Sequence, residues 1–439
     1  MSKLNKPGDD IAQAGTSRRD LLKGLGIGVG AGVASVIGAG QVAAAPMVGD
    51  APKADADTSA QRVPFYGAHQ AGIVNPRPAA GIIASFDIVA TDLDQFETMM
   101  KLLTARIAFL TAGGAVAMRD PKLPPEDSGI LGPDIAPDNL TVTVGLGDSF
   151  FEKTDWGKAL KPNALDRMTQ FPNDALDAAL CHGDLSLQFC ANTPDTAIHA
   201  LRDIMKSLSE YLVMNWMMPG DVPQAKPAAD GTTPSARNLL GFRDGSGNPD
   251  STDEAKMRQV VWVTPENGEP GWALGGSYQV VRLIRNKVEH WDRTPLQEQE
   301  RDFGRRKISG APLDGGPNAT ERDVPDYSKD PEGKVTSFLS HIRRANPRTP
   351  ETEANLILRR PFNYTSGALK NGQIDQGLIF ICYQADLGMG FITVQSRLNG
   401  EAMEEYFKPF GGGYFFVLPG VSGPGDYLGS TLVSAARSL

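Results

Sequence analysis

The chain has 439 residues, 41% hydrophobic and 22% charged, so it can bury a large core, and its length suggests two or three domains. Its formal charge of −9 becomes −11 once a leader carrying +2 (Lys3, Lys6, Arg18, Arg19 and Lys23 against Asp9, Asp10 and Asp20) is set aside. So acidic a body argues against nucleic acid as a partner, because phosphate binding needs a basic surface.

Residues Thr16 to Lys23 hold the pair Arg18-Arg19, followed by a weakly apolar, glycine-rich run from Gly24 to Val42 and the small residues Ala43-Ala44-Ala45. This is the pattern of a twin-arginine (Tat) signal peptide over residues 1–45. It implies export to the periplasm after folding in the cytoplasm, a route suited to a protein that loads a cofactor before it leaves. The alternative is an uncleaved anchor, since the run approaches the roughly 18 residues that span a bilayer. Its glycine content disfavours that alternative. Residues 46–62, polar and rich in Pro, Ala and Asp, read as a flexible mature N-terminus.

The first half of the body is assigned to 63–218. Within it Gly81–Val89 reads as a strand, Leu93–Leu110 as a helix, and Leu140–Leu146 and Asp184–Cys190 as further strands. Thr196–Leu212 reads as a second helix, with Pro194 near its start. Residues 219–235, rich in Pro, Ala, Gly and Asp and without periodicity, read as a linker. The second half, 236–439, repeats the theme: strand Ser277–Arg285, polar helix Asp292–Phe303, strand Gly377–Gln384 and a helix beginning within Gly390–Leu398. A long loop from Ser309 to Lys334 is expected to cover a pocket or a partner surface. Strands grouped with helices in this order predict an α+β fold, antiparallel sheets with helices packed on them. Cys181, Cys190 and Cys382 lack CxxC spacing and indicate neither zinc nor a full disulfide framework; buried thiols are expected, and a Cys181–Cys190 bond is the pairing that export would allow.

Two stretches carry chemistry. Gly241-Phe242-Arg243-Asp244-Gly245-Ser246-Gly247-Asn248-Pro249 presents one acid between glycines, which serve where backbone bends sharply or approaches a ligand. Taken alone it is ordinary loop composition. Downstream stand Ser340-His341-Ile342-Arg343-Arg344-Ala345-Asn346-Pro347-Arg348 and then Leu358-Arg359-Arg360. An acid, a histidine and an arginine are what a haem peroxidase needs: an imidazole on the iron, and a proton acceptor with a cation to stabilise departing hydroxide. Of the five histidines (His69, His182, His199, His290 and His341), His341 stands out, because neighbouring arginines can hold haem carboxylates.

With Gly-x-x-Asp-Gly in mid-chain and an arginine 18 residues after a histidine, the chain resembles the dye-decolourising (DyP-type) peroxidase family. Phe65-Tyr66-Gly67-Ala68-His69-Gln70-Ala71-Gly72-Ile73 and Gly411–Gly420 look like that family's two ends. The likeness is nearest to its Tat-exported deferrochelatase/peroxidase subgroup, associated with ferrous iron uptake. The resemblance implies duplicated ferredoxin-like domains forming a dimeric α+β barrel, and one haem b per chain, with the site in the second half. It implies His341 on the iron, Asp244 as distal acid/base and Arg359 as charge stabiliser; the adjacent Arg360 is the off-by-one alternative. Gly245, Ser246, Gly247, Asn346, Pro347, Arg348 and Arg359 would contact the macrocycle. A carboxylate, from Glu401, Glu404 or Glu405, should hold the second ring nitrogen of His341. An acid rather than a histidine in the distal role predicts an acidic optimum for turnover. The partners expected are hydrogen peroxide, an electron donor, iron-uptake proteins and a second copy of the chain. The rival reading is release of iron from intact porphyrin, and a third is passive binding of haem or dye. The tryptophans Trp156, Trp216, Trp262, Trp272 and Trp291 and the tyrosines could carry electrons from haem to bulky donors outside, but core packing is the favoured reading for each and none is named as a radical site.

Overall fold

The computed structural model describes residues 58–90, 92–227 and 231–439. The expected signal peptide and most of the expected flexible segment, 46–57, lie outside the described residues. No described helix is long and apolar enough to cross a membrane.

In the first half the main sheet takes four strands, β1 Ala80–Ile88, β2 Thr141–Gly147, β3 Leu185–Ala191 and β4 Leu212–Asp221, and a two-residue pair, Gly114–Ala115 with Asp134–Ile135, forms a separate ribbon. The second half supplies β5 Ser277–Asn286, the two-residue β6 Leu358–Arg359, β7 Phe362–Ala368, β8 Ile374–Gln384 and β9 Phe407–Val417. In the first half the order across the sheet is β4-β1-β3-β2; in the second it is β9-β5-β8-β7. Each is the order fourth-first-third-second, all antiparallel, which is the ferredoxin-like arrangement. The two sheets then join at both edges. Phe415 to Val417 of β9 pair with Gly145 to Gly147 of β2, and Asp221 of β4 pairs with Asn363 of β7. Eight strands thus close into the expected barrel, and β6 adds to β8 beyond the ring.

Alternation along the strands explains why both faces are apolar. Ile82, Ala84, Phe86 and Ile88 of β1 face one cluster with Phe96, Met99, Leu103 and Ile107 of α1 (Leu93–Ala112), whereas Ile83 faces another with Val281, Leu283, Ile379, Ile381 and Val417. The first cluster lies under helices and the second fills the barrel. α1 and α2 (Pro194–Ser207) are tied by Arg106, whose Nε and Nη2 donate to the two carboxylate oxygens of Asp203 at 2.8 and 2.6 Å. α2 is capped by Thr193 and ends at Ser207, five residues before the expected end.

Leu212 begins β4 instead, and the expected linker loses Pro219, Gly220 and Asp221 to that strand. Proline and glycine, read as breakers, are used here at the seam. Pro219 pairs with Ile82, and a side chain on Gly220 would stand 2.6 Å from the carbonyl of Asn363, so only glycine lets β4 meet β7. The expected helix Asp292–Phe303 is likewise shortened to α3, Leu296–Phe303, because Pro295 opens it. The cysteines are all free. Cys190 is sealed inside the barrel and Cys181 is half-buried on the outer cluster, so the one pairing that export would allow does not form.

Candidate active site

The cavity that gathers His341, Asp244 and Arg359 lies outside the barrel, on the outer face of the second-half sheet. Arg282, Ile284 and Asn286 of β5, Leu378 and Phe380 of β8, and Phe407 and Pro409 of β9 make its floor. Ile342 and Ala345 of α4 (His341–Ala345) and Val394 and Leu398 of α5 (Thr393–Leu398) line it from the helical side.

His341 opens α4 and lines this cavity, as none of the other four histidines does. Its Nδ1 is 2.7 Å from Oε2 of Glu401, which is buried. Of the three acids that the sequence leaves open, Glu404 instead accepts from the backbone of Gly400, and Glu405 pairs with His290. Burial opposes a charge on the His341 ring, but the charge and hydrogen bond of Glu401 outweigh it and raise its pKa. The bond to Glu401 leaves Nε2 as the ring's remaining nitrogen.

Asp244 comes from a hairpin closed by Asp244 N to Ala236 O at 2.8 Å and Asn238 N to Phe242 O at 2.9 Å. Arg359, on β6, donates from Nη1 to Oδ1 of Asp244 at 3.2 Å and from Nη2 to the carbonyl of Ser246 at 2.9 Å. Arg360 takes the opposite face of the chain. It is buried and donates to the carbonyls of Asn75 and Pro76, so Arg359 is the arginine that reaches the cavity. Ser246 and Gly247 line the cavity too, Gly247 at φ +83°. Gly245 does not: a side chain there would meet Ser235 Oγ at 2.4 Å, and packing, rather than approach to a ligand, requires the glycine.

Asn346 and Arg348 line the cavity and Pro347 does not. Oδ1 of Asn346 accepts from Arg348 N and from the hydroxyl of Thr352, fixing Arg348 in a left-handed turn at φ +60°. Arg343 is used elsewhere. It clamps Asp330 and the carbonyl of Thr336, stacked near Tyr327 and Phe338, and so anchors the 309–334 loop. That loop also braces the hairpin, since Glu321 accepts from Ser235 N at 2.7 Å and from Ser246 Oγ at 3.2 Å.

Two family models, described as Dyp-type peroxidase, N-terminal and Dyp-type peroxidase, C-terminal, match residues 70–220 and 235–422. The chain belongs to the Dyp-type peroxidase family. Curated deferrochelatases from Escherichia coli (strain UTI89) and Yersinia pestis bv. Antiqua are 53% and 52% identical to it over 419 residues, 95% of this chain and 97% and 95% of theirs. Among solved structures, ferric DtpA from Streptomyces lividans is 34% identical with a TM-score of 0.77, covering 87% of this chain and all of that one. A DyP-type peroxidase from Cellulomonas bogoriensis is 32% identical with a TM-score of 0.75, covering 86% and 99%. This Dyp-type peroxidase is therefore a haem-dependent enzyme that uses peroxide and an electron donor.

The cavity fits haem on its own chemistry. Its apolar lining, including Phe303, Leu356, Phe380 and Phe391, suits a flat ring. Four lining arginines, Arg243, Arg282, Arg305 and Arg348, each carry a buried guanidinium nitrogen with no partner among the described residues, and Asp244 and Glu401 are the lining acids. Such donors call for an anionic ligand. Burial lowers the pKa of Arg305, and the nearby positive charges of Arg348 and Arg359 add to that effect. Arg305 was not singled out by the sequence. It stands in an unremarkable basic run, Arg305-Arg306-Lys307, and only its burial, with Nη1 held by the carbonyls of Gly310 and Glu321, marks it.

Proposed function

We propose that this protein binds one haem b per chain, with Nε2 of His341 on the iron, and reduces hydrogen peroxide at the expense of an organic or metal donor. The observation that carries this reading is that a histidine backed by a buried carboxylate and an Asp–Arg pair line one apolar, arginine-rich cavity. Haem, when bound, supplies a redox-active iron at which peroxide is reduced to water. Arg243, Arg305 and Arg348 would hold its carboxylates, and Asn346, Ser246 and Gly247 would lie against its edge. Glu401 keeps the proton on Nδ1 and so presents Nε2 as a lone pair.

Asp244 accepts the proton from one peroxide oxygen and returns it to the other, which leaves as water. Arg359, permanently charged, stabilises negative charge as the oxygen–oxygen bond breaks and holds the carboxylate of Asp244 in place. Two electrons from the donor and two protons complete the reduction to a second water. Stopped-flow mixing of the haem-loaded protein with hydrogen peroxide tests these roles. Asp244→Asn and Arg359→Leu should each retain haem and slow the reaction by about 10²- to 10⁴-fold, the range for a lost acid/base group. Wild-type rates in both variants would remove the assignment.

The relatives favour a second activity at the same site, release of iron from haem with the porphyrin intact, because the curated proteins 52–53% identical to this chain are deferrochelatases. Product analysis separates the two: free porphyrin marks iron release, and oxidised donor with intact haem marks peroxidase turnover. The leader pattern at Arg18-Arg19 supports Tat export to the periplasm, where iron-uptake proteins would be partners and the enzyme a homodimer.

A further inference from the structure

Asn248 lies four residues after Asp244 and, before Pro249, looks like a turn residue. The turn does not need its side chain: the backbone N–H of Asn248 donates to Gly245 O at 3.1 Å. The side chain reaches residue 359 instead. Nδ2 donates to the carbonyl of Arg359 at 2.8 Å, and Oδ1 accepts from the N–H of Arg359 at 3.1 Å.

This double contact follows from the shape of β6. That strand pairs on one side only, Arg359 opposite Cys382 and Leu358 opposite Tyr383, and Arg360 N donates to Ile381 O at 2.7 Å. Alternate residues of an antiparallel strand turn their N–H and C=O to opposite sides. The peptide groups of Arg359 therefore point away from β8, with no strand to receive them. One carboxamide satisfies both, since it carries a donor and an acceptor side by side; a carboxylate lacks the donor and a hydroxyl lacks the span.

We propose that Asn248 is a positioning residue that fixes Arg359 against Asp244. Both ends of Arg359 are bound by the same five-residue stretch: the main chain by Asn248, and the guanidinium by Asp244 and the carbonyl of Ser246. The distance between acid and cation is thereby set by the contacts that one short loop makes to both ends of Arg359 on β6. The inference rests on the reading that Asp244 and Arg359 act on peroxide.

The test is a cycle of four haem-loaded proteins, wild type, Asn248→Ala, Arg359→Leu and the double variant, mixed with hydrogen peroxide while the Soret band is followed. A crystal structure of haem-free Asn248→Ala accompanies it. Asn248→Ala should slow the reaction by about 10- to 100-fold, as small misplacements of reacting groups do. In the Arg359→Leu background the same change should cost no more than about twofold, the scatter of independent substitutions. In the crystal the Arg359–Asp244 contact should open beyond hydrogen-bonding reach. Asn248→Asp, which keeps the volume and the acceptor but loses the donor, should fall between the two and carries the test if the alanine variant does not fold. Equal slowing in both backgrounds, or no slowing by Asn248→Ala when Arg359→Leu is slow, overturns the inference. Wild-type rates in Arg359→Leu overturn the reading beneath it, and the inference goes with it.

Discussion

Two adjacent arginines, Arg359 and Arg360, have opposite fates because a strand sends successive side chains to opposite faces. Arg359 reaches the cavity, while Arg360 props up the carbonyls of Asn75 and Pro76. Arg360→Ala should therefore lower stability by on the order of 1–3 kcal/mol, the cost of leaving buried polar groups unpaired. Urea denaturation of the haem-free protein measures this, and the peroxide reaction of the folded fraction should stay close to wild type. Glu401→Gln keeps the shape but removes the charge beside His341, and should weaken haem binding or activity by about 10- to 100-fold, as loss of a ligand's supporting carboxylate does. Titration of the apoprotein with haem reads it. At this scale the sequence showed His341, Asp244 and Arg359 as a set. It could not choose Glu401, because which of three nearby acids faces the imidazole depends on the turn through Gly400 and on the claims that Gly400 N and His290 make on the others. Arg305 carries no local signal at all, since burial alone distinguishes it.

Among the elements, the strands with regular apolar runs, β1, β2, β3, β5 and β8, could be read from pattern within a residue or a few of their ends. β4 could not, because Pro219 and Gly220 stand just before its last residue and signal a break unless the partner strand is known. The barrel's seam depends on that glycine. Gly220→Val should destabilise the fold by about 1–3 kcal/mol or more, the cost of overpacking, and a thermal melt of the apoprotein would show it. Two buried thiols, Cys190 inside the barrel and Cys382 on its outer face, make a further prediction. Burial pushes the thiols of Cys190 and Cys382 up, Cys382 well above its ordinary value. At pH 8 both are therefore protonated in the folded protein, and the thiolate is the reactive form. Iodoacetamide should leave both unlabelled in the native state and label both in urea, as mass spectrometry of the peptides would report.

Seen whole, the molecule uses one strand order twice and carries the candidate site on one copy. The first-half sheet is covered by α1 and α2 with an apolar cluster between, while the corresponding face of the second half is left hollow and lined with arginines. The duplication was weak in the sequence because the halves share strand order rather than residues. The half that holds the candidate site is legible in the sequence, because Asp244, His341 and Arg359, which line the cavity, all fall after residue 236. The most direct test of the central claim is a titration of the purified mature protein with haem, wild type beside His341→Ala, followed by one equivalent of hydrogen peroxide. A saturable Soret band at one haem per chain, shifting on peroxide in the wild type and lost or altered in His341→Ala, is the predicted result. No saturable binding, or a wild-type spectrum in His341→Ala, would contradict it.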